Sequence, residues 1–155
     1  MILHGGLIAL FEAGVWRGVL IRGASGAGKS DLMLRAQAAG WRLTADDRVR
    51  VWASGGRLFG RAPDPLRDLM EVRGLGVLPS PTLAWAEINL VVDCVAVQAV
   101  ERLPHPDRDV ILDRPVPRVR LYALEASAPA KLRCALTRLG LTAQPSYLAR
   151  GAGGD

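Results

Sequence analysis

GASGAGKS, residues 23–30, matches the pattern GxxxxGK[ST] in full, with Gly23, Gly28, Lys29 and Ser30 at the defining positions. A chance match in a chain of this length has a probability on the order of one per cent. The chemistry behind the pattern needs a strand that delivers the chain into the loop and a helix that leaves it, because phosphates bind to main-chain N–H groups converging on a helix N-terminus. Both are legible. "GVLIRG" ends at the loop as an apolar strand, and "KSDLMLRAQAA" (29–39) is built of good helix formers, with Asp31 in its first turn and Gly40 as a stop signal. The backbone of Gly23, Ala24, Ser25, Gly26, Ala27 and Gly28 is thus the candidate cradle for a nucleotide's phosphates. Lys29 is placed to reach the β- and γ-phosphates, and the Ser30 hydroxyl to hold magnesium.

Upstream of the loop, "GGLIALFEAGVWRGVLIRG" (5–23) reads as two strands joined near "FEAG". Downstream, "WRLTA" (41–45) is a short strand, and "RVRVWA" with "RLFGRA" forms a hairpin across "SGG". Pro63 and Pro65 introduce a brief helix over "LRDLMEV" (66–72). "AEINLVVDCVAV" (86–97) carries almost no polar position, as a buried central strand would. "RVRLYAL" (118–124) is a further strand, and Ser127 is a candidate N-cap for a last helix over "APAKLRCALTRLG". The expectation is one α/β domain with a mixed β-sheet over residues 1–141 and a flexible tail over 142–155.

Composition narrows the partners. The chain has 155 residues, half of them apolar and 5% aromatic, enough for one core of aliphatic side chains. Its formal charge is +5, but the basic residues are scattered along the sequence, and "RVR" at 48–50 and 118–120 alternates as a solvated strand face does. No nucleic-acid partner is expected. No apolar run is long enough for a membrane helix and no signal peptide is visible, so a cytoplasmic protein without a membrane partner is expected. Cys94 and Cys134 lack metal-site spacing and read as buried free thiols.

"TADD" ends the strand that follows the loop helix, so Asp46 and Asp47 should emerge at the sheet end that carries the phosphates. One acid suffices for magnesium and the second is available as a general base; their mutual repulsion raises the pKa of one of them. Asp93, at the end of "LVVD", is a rival magnesium acid on pattern alone.

The segments "HGGLIAL", "GASGAGKSDLMLRAQAAGWRLTADDRV", "GRAPDPLRDLMEVRGLGV" and "DRPVPRV", in this order, resemble the catalytic domain of HPr kinase/phosphorylase over roughly residues 2–139. That enzyme phosphorylates a serine of the sugar-transport phosphocarrier HPr. The resemblance implies the fold of that domain, related to phosphoenolpyruvate carboxykinase. It makes Asp47 the proton acceptor, and the proton donor in reverse phosphorolysis. It also implies that Glu71 joins Ser30 at magnesium, that His4 and Lys29 belong to the active site, and that Arg102 is a catalytic arginine; with Asp47 as the base, Asp46 is the acid of the pair left for magnesium. Asp93 then reverts to a strand-end residue. Full-length members carry an N-terminal domain, so a short form is expected, and because members are hexamers a homo-oligomer is too. The segment after "PVP" differs from the basic one linked to phosphorolysis, which leaves that activity open.

The function expected is an ATP- and Mg2+-dependent serine kinase acting on an HPr-like phosphocarrier. A small-metabolite kinase would need a lid insertion, and none is seen. A non-catalytic nucleotide sensor would tolerate loss of the two acids, and both are present.

Overall fold

The structure, a computed structural model, describes residues 1–139. The expected tail over 142–155 lies outside the described residues. Eleven strands and two helices succeed one another: β1 (Ile2–His4), β2 (Gly6–Glu12), β3 (Val15–Gly23), α1 (Lys29–Ala38), β4 (Arg42–Ala45), β5 (Arg48–Ser54), β6 (Arg57–Arg61), β7 (Leu69–Val72), β8 (Gly76–Pro79), β9 (Ala86–Cys94), β10 (Asp107–Ile111), β11 (Arg114–Leu121) and α2 (Ala128–Leu139). Nine strands form one mixed sheet in the order β1-β5-β6-β9-β3-β2-β4, with β11 parallel to β9 and β10 antiparallel to β11.

Alternation along the strands builds two cores, because successive side chains leave opposite faces. Ile8, Val19, Ile21, Leu90 and Val92 point toward the helices and meet Leu32, Met33 and Ala36 of α1 and Leu132 and Leu136 of α2. Leu7, Ala9 and Leu20 point the other way, against Val49, Val51 and Leu58 of β5 and β6. The sheet thus bends back across its own face, with the helices covering the opposite side. The parallel pairing of β3 with β9 runs from Gly18↔Ile88 to Gly23↔Cys94, which places the 23–30 loop at the C-terminal end of two buried strands.

The hairpins follow local chemistry. Ala13-Gly14, Gly55-Gly56 and Leu112-Asp113 each put two successive residues at positive φ, the geometry of type I′ turns that match strand twist. The helix expected over "LRDLMEV" is not formed. A single 3-10 turn at Asp64–Leu66 precedes Asp68, which reverses the chain at φ 58°, and Leu69–Val72 then pairs with Gly76–Pro79 as a hairpin. Asp68 fixes the base of that hairpin, accepting from the Thr82 N–H at 2.9 Å and its hydroxyl at 2.7 Å. Strands β1 and β10 were not expected from the sequence. α2 starts directly after Ser127, whose carbonyl accepts from the Lys131 N–H, as an N-cap carbonyl does. Cys94 is buried but Cys134 is exposed, contrary to expectation, because it lies two residues from both Leu132 and Leu136 and so faces away from the core. Among the described residues no helix is long and apolar enough to cross a membrane.

Candidate active site

α1 begins at Lys29 with Gly28 as its N-cap at φ 91°, and no side chain caps it. The first-turn amides, which an α-helix leaves without intrahelical acceptors, therefore project from its N-terminus with the positive end of the helix dipole. Asp31 pairs with Arg35 one turn on, at 2.8 Å. Arg35 also donates to the carbonyls of Glu125 and Ala123, which anchors the last turn of the helix to the segment between β11 and α2. Lys29 Nζ donates to the carbonyls of Gly23 (2.7 Å) and Ala24 (3.0 Å), leaving one of its three N–H donors for a further acceptor.

A cleft of about 480 Å³ opens in front of this loop. Ser25, Gly26, Gly28, Lys29 and Ser30 line it on one side, Asp46 and Asp47 come from the end of β4, and Glu71 and Arg73 come from the β7–β8 hairpin. The loop and the β4 carboxylates thus face one space.

The two aspartates differ. Asp46 is buried; its Oδ2 accepts from the Glu71 N–H at 3.0 Å, and its Oδ1 is a buried oxygen without a hydrogen-bond partner. Burial raises its pKa above the ordinary carboxylate value; the Glu71 amide opposes that shift, and the charges of Asp47 and Glu71 add to it. The acid with the raised pKa is therefore Asp46, and burial is a larger cause than its neighbour's charge. Asp47 is exposed and sits at φ 67°, at the centre of a three-residue turn in which the Arg48 N–H donates to the Asp46 carbonyl at 2.7 Å. Aspartate tolerates that conformation better than most residues, and such outliers concentrate at functional sites. The Gly5 N–H donates to the Asp47 carbonyl at 2.9 Å, and His4 Nδ1 stands 3.8 Å from Asp47 Oδ1. Gly5 has φ 153°, and a Cβ there would lie 2.5 Å from the Ile21 carbonyl, so the "HGG" bend can approach Asp47 only with glycine at this position.

Asp93 lies away from this cleft. Its two oxygens accept from Arg22 Nε (2.9 Å) and Nη2 (3.1 Å), and Arg22 also reaches Asp109 at 2.6 Å. Arg102 lies in the exposed connection between β9 and β10 and is not among the residues lining the cleft. Arg73, which carried no assignment in the sequence, is among them; its signal was its place in "EVRG", two residues after Glu71.

The donors fit a magnesium ion. An unpartnered buried carboxylate oxygen, a hydroxyl and a second carboxylate are hard oxygen ligands, and magnesium takes one or two carboxylates, with phosphate and water completing its shell. No group of three or more His, Cys, Asp or Glu able to hold a metal occurs among the described residues. The cleft is also within the usual size of small-ligand sites.

The HPr Serine kinase C-terminal domain family model matches residues 1–121. A HPr kinase/phosphorylase from Streptococcus thermophilus is 39% identical over 113 residues, covering 72% of this chain and 35% of that protein. One from Limosilactobacillus reuteri is 49% identical over 82 residues, covering 52% of this chain and 24% of that protein. The chain thus spans about a third or less of the length of these curated relatives. Among solved structures, that of the Hpr(Ser) kinase/phosphatase from Coxiella burnetii superposes with a TM-score of 0.82 over 100% of this chain and 99% of the other, at 19% identity. The shared fold is the mixed α/β domain described above.

Proposed function

The chain belongs to the HPr Serine kinase C-terminal domain family, and from that premise we propose that it is an ATP- and magnesium-dependent kinase that phosphorylates a serine of an HPr-like phosphocarrier. The observation that carries the reading is the shared cleft, in which the 23–30 loop faces Asp46, Asp47 and Glu71. The loop amides and Lys29 bind the donor's terminal phosphates and neutralise charge as the phosphoryl group moves. Ser30, Asp46 and Glu71 hold magnesium, which when bound polarises the phosphoryl oxygens and fixes the donor's orientation. Asp47 accepts the proton of the serine hydroxyl as that oxygen bonds to phosphorus and the nucleoside diphosphate leaves. His4 positions the Asp47 carboxylate from 3.8 Å, a distance for charge or a bridging water rather than a direct hydrogen bond. Arg73 lines the cleft, so it competes with Arg102 for the role of a cation that stabilises the phosphoryl group.

A second division of labour has one observation behind it. The raised pKa belongs to Asp46, and a raised pKa suits a general base. Variants separate the two readings: the base is dispensable for binding magnesium nucleotide, and the metal ligand is not.

The test of function is incubation of the chain with ATP, magnesium and purified HPr-like carriers, followed by mass spectrometry of the carriers. The reading predicts phosphoserine on a carrier. Nucleotide turnover with every carrier unmodified would contradict it.

A further inference from the structure

Three of the arginines scattered along the sequence, Arg50, Arg61 and Arg67, are brought by the fold around a second cavity. β5 and β6 turn Val49, Val51 and Leu58 inward, which leaves Arg50, Trp52, Phe59 and Arg61 on the outer face. Arg50 and Arg61 are direct cross-strand partners, an arrangement of like charges that costs stability. Among the described residues, neither guanidinium group has a hydrogen-bonding or ion-pair partner. Next to them Trp52 stacks on Phe59 with ring centroids 5.8 Å apart, and Trp85 meets Phe59 in an edge-to-face arrangement at 5.5 Å. Trp85 is 56% exposed.

These side chains surround a second cavity of about 490 Å³, lined by Arg50, Trp52, Arg61, Asp64, Arg67 and Trp85 among others. It shares no lining residue with the cleft in front of the 23–30 loop. Three arginines face one aspartate there. Arg67 has an acidic neighbour in Asp68, but Asp68 Oδ1 is already engaged by Thr82, and its Oδ2 stands 3.8 Å from the guanidinium. The charge is therefore uncompensated where Arg50 and Arg61 meet.

We propose that this cavity is a binding site, separate from the catalytic cleft, for a small planar anion: an aromatic or heterocyclic ring carrying a phosphate or carboxylate group. The ring suits the indole faces, where stacking is sequence-tolerant and gains from nearby guanidinium groups. The anionic group suits paired guanidinium forks, which grip two oxygens at once and whose repulsion an anion between them relieves. A concave volume within the 300–1,000 Å³ common for small ligands favours a compact molecule over an extended strand.

The test uses 1-naphthyl phosphate, 1-naphthoate and neutral 1-naphthalenemethanol, added to the 15N-labelled chain while the indole N–H signals of Trp16, Trp41, Trp52 and Trp85 are followed by NMR. At least one of the two anions should shift Trp52 and Trp85 saturably and leave Trp16 and Trp41 in place. The neutral alcohol should bind at least about tenfold more weakly, since one charge-assisted contact is worth roughly that factor. Arg50→Ala combined with Arg61→Ala should weaken the anion by a similar factor, and Lys29→Ala should leave it unchanged. Equal binding of alcohol and anions, shifts spread over all four indoles or over none, or loss of binding in Lys29→Ala would each overturn the proposal. The comparison of charged and neutral ligands on the unmodified chain stands even if the double variant fails to fold.

Discussion

Alanine at Gly28 tests how the start of α1 is seated. Gly28 has φ 91°, and a Cβ added there would lie 2.7 Å from Leu124 Cδ2, 3.1 Å from Leu124 Cγ and 3.3 Å from the Ala123 Cβ. The left-handed conformation alone costs a non-glycine residue about 1–2 kcal/mol. Leu124 is 52% exposed and can rotate away, at about 0.5–1.5 kcal/mol for an off-rotamer side chain, whereas Ala123 is fully buried and cannot. The expected loss is about 2–3 kcal/mol. Gly26 supplies the control: its φ is 81°, but nothing lies within 4 Å of an added Cβ, so Gly26→Ala should lose only the conformational part, about 1–2 kcal/mol. For a domain of this size each kcal/mol moves Tm by about 3–4 °C. Thermal unfolding without nucleotide should therefore rank the wild type above Gly26→Ala and Gly26→Ala above Gly28→Ala. If Gly28→Ala is as stable as Gly26→Ala, the packing of the loop against the Ala123-Leu124 segment is wrong, and so is the account of what holds the first-turn amides in place.

Asp46 should make the protein pH-sensitive. Its pKa is raised on folding, so its contribution to stability is complete below the ordinary value of 3.8 and is lost as pH rises through the raised value. Urea midpoints from about pH 4 to about pH 8, without magnesium, should fall less in Asp46→Asn than in the wild type. Asp46→Asn should then be the more stable protein at neutral pH while losing magnesium-dependent nucleotide binding; an unchanged slope would mean the carboxyl is not desolvated. Arg22→Met removes the bonds to Asp93 and Asp109 that tie β3 to β9 and β10 at the loop's entrance, and should cost about 1–3 kcal/mol by denaturant unfolding, since these groups are three-quarters buried. A neutral result would mean that solvent already screens the network. Burial pushes the Cys94 thiol up to about 11, so iodoacetamide at about pH 8 should alkylate Cys134 and spare Cys94 in peptide mass spectra. Comparable labelling of both thiols would contradict the burial of Cys94.

Legibility in the sequence followed the range of the interactions. The strand, loop and helix around Lys29 lie within thirty residues and are set by local signals, so their reading and their structure coincide. The pair Asp46-Asp47 was placed at the right sheet end by the same local logic. "LRDLMEV" misled because a four-residue strand has too few positions to display a period of two, while a proline-led run of helix formers mimics a helix start. β10, and the part of β11 before Arg118, escaped for a related reason: the Leu112-Asp113 turn that joins them takes positive φ at both positions without the Asn-Gly or Gly-Gly residues that advertise it. The charge network and the second cavity were beyond reach. Arg22 and Asp93 are 71 residues apart, and although the facing of Arg50 and Arg61 follows from the turn of their own hairpin, the approach of Arg67 and Trp85 to them follows from no local pattern. Cys134 was within reach, because Leu132 and Leu136 fix the buried side of α2.

The central claim is that the loop grips the phosphates while Asp47, held across the cleft by Gly5 and the turn at Arg48, takes the hydroxyl proton. Its most direct test pairs two readings on Asp47→Asn: the dissociation constant for magnesium–ATP, and the rate of phosphoserine formation on an HPr-like carrier. Loss of a general base costs about 10²–10⁴ in rate, so phosphorylation should fall by that factor with nucleotide affinity within about threefold of wild type. Loss of nucleotide binding, or phosphorylation at the wild-type rate, would contradict the role given to Asp47.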